Sequence, residues 1–188
     1  MSLVSKLKHF YLLHFSQPAG DRPLYKWAEQ HLPRSILQIG VGDAERTIRL
    51  LQAMGTKRPA NEIHFTGIDL FESRPATDPT RRTLRDTYKR LKTLGLSVRL
   101  LPGDPYMALQ HAANTLNNID LVIISADQDP ASLSKAWHYL PRTLHGRTQI
   151  FHERPSKTPG TLHFTPISHP ERETLSRTAT DLLHRRAA

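Results

Sequence analysis

Apolar and polar residues alternate along this chain in blocks rather than residue by residue. Short continuous apolar runs, each followed by polar or glycine-containing residues, lie at about 35–39, 63–68, 97–101, 119–125 and 147–152. A continuous apolar run of this length is typical of a strand covered on both faces, as strands of a parallel sheet are. The pattern therefore predicts five buried parallel strands.

The stretches between these runs have the periodicity of amphipathic helices. Apolar residues recur there every three or four positions, which predicts helices at about 43–54, 79–94, 105–117 and 130–144. Asp21 and Pro23 predict a further helix at 22–32, because aspartate is a favourable N-cap and proline suits the first helical turn. Strands and helices that alternate in this way predict an α/β fold with a doubly wound, mostly parallel sheet.

The two ends of the chain are predicted to complete this fold. The first 17 residues form an amphipathic pattern, which predicts a helix packed on the edge of the domain, with a lid over the site as the alternative. Residues 160–167 predict one more strand, and residues 170–186 predict a closing helix. Only about 36 residues follow the fifth apolar run, so we expect a shortened C-terminal part. A neighbouring chain in a homodimer is one way to supply a missing strand.

The chain is predicted to form a single domain, because 188 residues suit one hydrophobic core. Within it we expect N-terminal helices over 1–33, a Rossmann-like core over 34–152, and the final strand and helix over 153–188. No apolar run reaches the ~18 residues that cross a bilayer, and the N-terminal pattern is not that of a secretory signal. The absence of cysteine excludes disulfides and thiolate metal sites and fits a cytoplasmic protein.

The chain is strongly basic, with a net charge of +9 and a pI near 10.2, which raises the question of nucleic-acid binding. Much of this charge lies on the helix predicted at 79–94, away from its apolar stripe, at Arg81, Arg82, Arg85, Lys89, Arg90 and Lys92. A solvated helix face is the simpler interpretation, since Tyr88 belongs to the apolar stripe and no other aromatic residue is interleaved for base stacking. RNA binding stays open as an alternative.

The first predicted strand ends in Gly40-Val41-Gly42, and a helix is predicted directly after it. Glycine lets the backbone adopt positive φ and approach a ligand closely, as in the nucleotide-binding loops of α/β sheets. Glu45, however, stands where dinucleotide-binding loops have a small residue, and its carboxylate would repel a pyrophosphate. A phosphate-binding P-loop is excluded because no Gly-Lys-Ser/Thr follows. The loop therefore predicts a ligand with an adenosine end and no phosphates, such as S-adenosylmethionine.

Ligands of such sheets bind beyond the carboxyl ends of the strands, where this chain places several polar side chains. Asp69 follows the second strand and is suited to accept both hydroxyls of a ribose, with a helix cap as the alternative. Asp104 follows the third strand and could accept from an adenine amino group or cap the helix that begins at Pro105. Asp127 after the fourth strand is the first candidate for chemistry, and His152 at the end of the fifth is the second.

Taken in order, these strand ends resemble those of the class I S-adenosylmethionine-dependent methyltransferases, over roughly residues 22–152. The resemblance implies that Gly40 and Gly42 approach the methionine end of the cofactor. It further implies that Asp69 binds the ribose and Asp104 the adenine. The residues predicted to bind the cofactor are Gln38, Gly40, Val41, Gly42, Asp69, Leu70, Gly103, Asp104, Ser125 and Ala126.

The segment after the fourth strand, Ser125-Ala126-Asp127-Gln128-Asp129, is similar to the Asp-Ala-Asp-Lys-Asp segment of small-molecule O-methyltransferases related to the caffeoyl-CoA enzymes. Ser125 stands where that family has a metal-binding aspartate, and His152-Glu153-Arg154 replaces its second pair of metal ligands. Because a hydroxyl is a poor replacement for a carboxylate around a hard divalent cation, no metal site is predicted. Gln38 likewise stands where the wider family commonly has an acidic residue.

Together these features predict a metal-independent methyltransferase that transfers a methyl group from S-adenosylmethionine to a small-molecule acceptor. Asp127 is the candidate for the base or for the group that orients the acceptor, and His152 is the second candidate. Two alternatives remain open. One is a non-catalytic binding protein with the same fold, and the other is an RNA-associated methyltransferase that uses the basic surface.

Overall fold

The computed structural model describes the backbone of residues 3–187 and the side chains of residues 7, 9–55 and 57–185. Its centre is a six-stranded sheet in the order β3-β2-β1-β4-β5-β6. The strands are β1 (Ser35–Ile39), β2 (His64–Asp69), β3 (Ser97–Pro102), β4 (Ile119–Ile124), β5 (Leu144–Pro155) and β6 (Leu162–Pro166). The first five run parallel, whereas β6 pairs antiparallel with β5. The doubly wound, mostly parallel sheet predicted from the sequence is confirmed.

Helices cover both faces of this sheet. They are α1 (Leu3–His14), α2 (Arg22–His31), α3 (Glu45–Met54), α4 (Leu84–Lys92), α5 (Pro105–Ala112), α6 (Pro130–Ala136) and α7 (His169–Ala187). One buried core joins the sheet to α1, α2 and α3, with Leu50 and Phe65 among its members. A second core joins the opposite face to α5, α6 and α7, with Leu109 and Ile150 among its members. Burial on both faces explains the apolar character of the central strands β1 and β4. The prediction of five buried strands is wrong for β3, which lies at the edge of the sheet and has no fully buried residue.

The helix predicted at 79–94 begins later than expected, at Leu84. The Thr83 hydroxyl caps it by accepting the N–H of Asp86 at 3.1 Å. The preceding residues instead turn around Asp78, whose carboxylate accepts the N–H of Thr80 at 2.8 Å. Residues 74–83 therefore form an irregular connection, called the cover segment below, rather than the first turns of a helix.

The winding of the chain reverses at β1. This strand has β2 on one side and β4 on the other, so the connections on its two sides diverge. In open α/β sheets such a reversal leaves a crevice beyond the carboxyl ends of the two central strands, where ligands bind. The loop after β1 and the first residues after β4 form the two sides of this crevice. In the part of the chain that the structure describes, no helix has both the length and the apolar character needed to cross a membrane.

Candidate active site

The loop after β1 depends on its two glycines. Gly40 has a φ of +86° and Gly42 a φ of +57°, in the left-handed region that side chains disfavour. The N–H of Gly40 donates to the carbonyl of Ile68 in β2 at 2.9 Å, which carries the sheet pairing one residue beyond β1. The loop thus turns sharply from the centre of the sheet into α3, with its backbone facing the crevice.

Asp69, at the end of β2, links this loop to the cover segment through hydrogen bonds. Its Oδ2 accepts the N–H of Gly42 at 2.8 Å and Nη2 of Arg74 at 2.8 Å. Its Oδ1 accepts the N–H of Phe71 at 2.9 Å and Nε of Arg74 at 2.6 Å. Burial alone would raise the pKa of Asp69, but these hydrogen bonds outweigh it and hold the pKa below its usual value. Asp69 is therefore an ionised carboxylate whose two oxygens each already accept two donors.

Arg74 connects the two sides of the crevice. Its side chain is only 8 % exposed, and besides Asp69 it donates through Nη1 to Asp127 at 2.7 Å and to Asp78 at 2.9 Å. Asp69 follows β2 and Asp127 follows β4, so the guanidinium spans the space in front of β1. The Cβ of Thr80 lies 3.3 Å from the position that a side chain at Gly42 would take. The cover segment therefore packs directly on the glycine loop.

A pocket of about 600 Å³ opens beside the loop, on the side of β4 and β5. Its walls come from the glycine loop, the start of α3, the ends of β4 and β5, and the segment before α2. The charged side chains that line it are Asp21, Asp43, Glu45, Arg46, Arg49, Asp127 and Glu153. Five of these seven are carboxylates, and part of their charge is offset by Arg74 and Arg90, which pair with Asp127 and Glu45 from outside the lining. Such a wall favours a ligand with positive charge.

Arg46 and Glu153 brace the wall between β4 and β5. Arg46 Nη2 donates to Glu153 Oε1 at 2.8 Å, and Nη1 donates to the Ser125 hydroxyl at 2.8 Å. The other oxygen of Glu153 accepts the N–H of Ala126 at 3.0 Å. The guanidinium also lies over the Phe164 ring, 4.8 Å from its centroid. Sequence reasoning did not select either charged residue, although the alternation along β5 places Glu153 on the same face as the buried Phe151.

Asp21 and Tyr25 close the far end of the pocket. The Tyr25 hydroxyl donates to Asp21 Oδ2 at 3.0 Å, and burial together with the neighbouring Asp21 charge raises the pKa of Tyr25. The other oxygen of Asp21 is buried and has no hydrogen-bond partner among the described residues. A buried carboxylate oxygen without a donor is costly, which makes this end of the pocket a place for a ligand donor.

Solved methyltransferases have the same architecture. The chain superposes on the O-methyltransferase from Bacillus cereus in complex with SAH with a TM-score of 0.55 and 16% identity, covering 98% of this chain and 80% of that one. It superposes on the O-methyltransferase TomG from Streptomyces achromogenes in complex with SAM with a TM-score of 0.53 and 15% identity, covering 98% and 79%. For the calicheamicin methyltransferase CalS11 the values are 0.52 and 14%, covering 96% and 83%. The chain has the fold of the S-adenosylmethionine-dependent methyltransferases. No family model and no curated protein matches its sequence.

The methyltransferase fold brings part of the predicted cofactor set to one place. Gly40, Val41, Gly42 and Ser125 line the pocket, together with Asp127. Asp69, Leu70, Gly103, Asp104 and Ala126 do not line it. The pocket therefore lies toward the β4 side of the loop, whereas the residues expected to hold the nucleoside lie toward β2 and β3.

Gln38 supports the glycine loop from below rather than facing the pocket. It is completely buried, its Nε2 donates to the carbonyl of Gly40 at 3.0 Å, and its Oε1 accepts the hydroxyl of Thr47 at 2.8 Å. Both ends of the amide are thus satisfied inside the protein. A glutamine, unlike the acidic residue common in the family, can both donate to a carbonyl and accept from a hydroxyl.

Asp104 caps helix α5, which is one of the two roles that the sequence left open. It accepts the N–H groups of Tyr106 at 3.0 Å and Met107 at 3.2 Å, and the Ser132 hydroxyl donates to it as well. Burial would raise the pKa of Asp104, but the hydrogen bonds from Ser132 and the helix backbone lower it overall. The carboxylate is therefore committed to the start of α5 in this structure.

His152, the second candidate for chemistry, does not line the pocket. Successive side chains of a strand point to opposite faces, and Glu153 rather than His152 lines the pocket. His152 Nδ1 accepts from Arg154 Nε at 3.2 Å, and burial lowers the pKa of its ring. Of the two predicted catalytic residues, only Asp127 lines the pocket.

The predicted N-terminal segment contacts the pocket only at its end. None of the described residues of α1 lines the pocket, and Leu12 and Leu13 pack into the core, whereas Gln17 does line it. On the basic helix, Arg90 pairs with Glu45 at 2.8 Å while Arg85 and Lys89 are exposed. RNA binding by this face stays a prediction. Within the described side chains, no group of three or more metal-ligating residues is placed to hold an ion.

Proposed function

We propose that this protein binds S-adenosylmethionine and transfers its methyl group to a small-molecule acceptor. The observation that carries the proposal is an acid-rich pocket directly beside the glycine loop of a methyltransferase fold. S-adenosylmethionine has a sulfonium and an ammonium group against one carboxylate, so it is a cation overall. An acidic wall in a basic protein matches that charge.

The residues around the glycine loop fit the two ends of this cofactor differently. Gly40, Gly42 and Ser125 all line the pocket, which suits the amino-acid end. At the nucleoside end, the Asp69 carboxylate is suited to accept the ribose hydroxyls, but both of its oxygens already accept hydrogen bonds from Arg74. Binding of the whole cofactor therefore requires the guanidinium of Arg74 to move away from Asp69.

S-adenosylmethionine, when bound, supplies an electrophilic methyl group on sulfur. The protein contributes alignment of the acceptor and, for a hydroxyl acceptor, a place for its proton. Asp127 is suited to that task, because its carboxylate lines the pocket and its side chain is 46% exposed. Its oxygens accept from Arg74 at 2.7 Å and from Gln128 at 2.7 Å, which fixes their orientation.

A compact acceptor is favoured over a macromolecule by the walls of the pocket. Gln17, Pro18 and Leu162 close the side away from the glycine loop. A volume of about 600 Å³ is within the range of small-molecule sites, and it must hold part of the cofactor as well. The proposed acceptor is therefore a small hydroxylated molecule.

Calorimetric titration with S-adenosylmethionine tests the proposal, with Asp69→Asn as the site variant and Asp181→Asn on α7 as the control. We expect micromolar binding by the wild type and the control, and at least tenfold weaker binding by Asp69→Asn. Transfer of a labelled methyl group to a panel of hydroxylated acceptors then separates an enzyme from a binding protein. Asp127→Asn should lower turnover at least a hundredfold without weakening cofactor binding.

Absence of binding both by the correctly folded wild type and by a folded Arg74→Gln variant, in which Asp69 no longer pairs with a guanidinium, would overturn the proposal. Binding without turnover on any acceptor would favour the non-catalytic alternative.

A further inference from the structure

We infer that Arg74 competes with the nucleoside of a bound cofactor for Asp69, and that this competition sets the affinity and selectivity of the site. The inference rests on the proposed function. Arg74 is a side chain of this protein that lies in the crevice of the methyltransferase fold, where the nucleoside is expected to bind.

Asp69 has no free acceptor position in the structure. A carboxylate offers about four lone-pair positions, and here Gly42, Phe71 and Arg74 fill all four. The two bonds from Arg74 are the ones that come from a side chain rather than from the local backbone. A ribose presents two hydroxyl donors, the same number that Arg74 supplies. Exchange of one pair of donors for the other is therefore the direct way for a nucleoside to reach Asp69.

Arg74 is held at this position by more than Asp69. Asp127 and Asp78 each accept from its Nη1, and the Thr80 hydroxyl lies 3.4 Å from the same atom. These partners come from the end of β4 and from the cover segment. Three carboxylates around one buried guanidinium form a network that is far stronger than a surface ion pair. The closed arrangement is therefore the dominant state without ligand.

The effect of this closure is confined to the nucleoside half of the site. The pocket beside Gly40, Gly42 and Ser125 stays open, but its lining includes neither Asp69 nor Asp104. When the binding-competent state is a fraction of the population, the apparent dissociation constant rises by the inverse of that fraction. Arg74 should thus weaken the binding of every ligand that carries an adenosine.

Calorimetry with S-adenosylhomocysteine and with adenosine tests this inference on wild type, Arg74→Gln and Arg81→Gln. Glutamine removes the positive charge and two of the three nitrogen donors but keeps a polar side chain next to Asp69. Arg81 is the matched control, since it lies in the same cover segment and donates to the Glu72 carbonyl at 2.8 Å. We expect both ligands to bind at least tenfold more tightly to Arg74→Gln and with unchanged affinity to Arg81→Gln.

A second variant keeps the test decisive if Arg74→Gln does not fold. Asp78→Asn removes one partner of Arg74 at the outer edge of the network, away from the pocket lining. It should tighten S-adenosylhomocysteine binding by about two- to fivefold, because the closed state loses one of its charge-assisted hydrogen bonds.

The two ways of failing are distinct. Wild-type binding of S-adenosylhomocysteine that is equal to or tighter than that of the folded variants would overturn the role of Arg74 and leave the cofactor site standing. No binding by wild type, Arg74→Gln or Asp78→Asn would overturn the proposed function and, with it, this inference.

Discussion

Charged side chains at this site form ion pairs that link the ends of different strands. Arg46 joins α3 to the ends of β4 and β5, and Arg74 joins the ends of β2 and β4. Buried arginines with several acceptors are costly to desolvate, but removing one partner leaves an uncompensated charge and costs more. The geometry of the crevice therefore depends on these ion pairs as well as on the glycine loop.

Glu153→Gln tests this dependence at a single residue. The change keeps the shape of the side chain and removes the charge opposite Arg46, whose guanidinium is largely buried. We expect a loss of about 2 kcal/mol in the free energy of unfolding, measured by urea denaturation. Glu173→Gln on α7 is the matched control, because its ion pairs with His169 and Arg177 are exposed. The control should stay within about 0.5 kcal/mol of wild type, and an equally small effect of Glu153→Gln would contradict the bracing role.

The positions of single site residues were only partly predictable. Strand ends place Asp69 and Asp127 at the crevice, and the sequence shows both strand ends. That Arg74 occupies Asp69 was not visible, because Arg74 lies in a segment without periodicity and its other partner Asp127 lies 53 residues away along the chain. The sequence allowed two roles for Asp104, adenine binding and helix capping. The structure shows the capping role, in which Asp104 accepts the N–H groups of Tyr106 and Met107.

At the scale of elements, the irregular connections position the site more than the helices do. The turn Ala19–Asp21 presents Asp21 to the pocket, and it packs directly against β6. A Cβ at Gly20 would lie 1.9 Å from the carbonyl oxygen of Leu162 and 2.7 Å from Cα of His163. Both atoms belong to the backbone, so neither can move aside as a flexible side chain would.

Gly20→Ala should therefore separate this turn from β6. We expect a loss of about 2 kcal/mol, which corresponds to a fall of about 6 °C in the melting temperature for a domain of this size. Differential scanning calorimetry measures it, with Gly146→Ala as the control because no atom lies within 4 Å of its added Cβ. An unchanged melting temperature for Gly20→Ala would mean that the turn and β6 are not tightly packed.

Elements with strong periodicity were predicted closely from the sequence, and their irregular neighbours were not. β1 and β2 differ from the expected ranges by at most one residue, since both are rich in apolar residues and bounded by polar or glycine-containing turns. Residues 79–83 of the cover segment were assigned to a helix because Arg81 and Arg82 continue the basic pattern of α4. The turn around Asp78 depends on side-chain hydrogen bonds that periodicity does not register.

At the scale of the whole molecule, charge is distributed unevenly. A net charge of +9 surrounds a pocket in which five carboxylates face two arginines. The field of the basic surface repels cations at long range, whereas the pocket wall attracts them at short range. This contrast supports binding of a cationic small molecule in the pocket. An anionic partner would bind elsewhere, on the exposed helix α4.

The most direct test of this account is amide chemical-shift mapping of the isotope-labelled protein during titration with S-adenosylhomocysteine. The account predicts saturable shifts at Gly40, Gly42 and Ser125, together with a changed environment for the Nε–H of Arg74 as its bond to Asp69 breaks. Shifts confined to a separate cavity between β5 and α7, lined by Leu144 and Arg172, would contradict it, as would no shift at all.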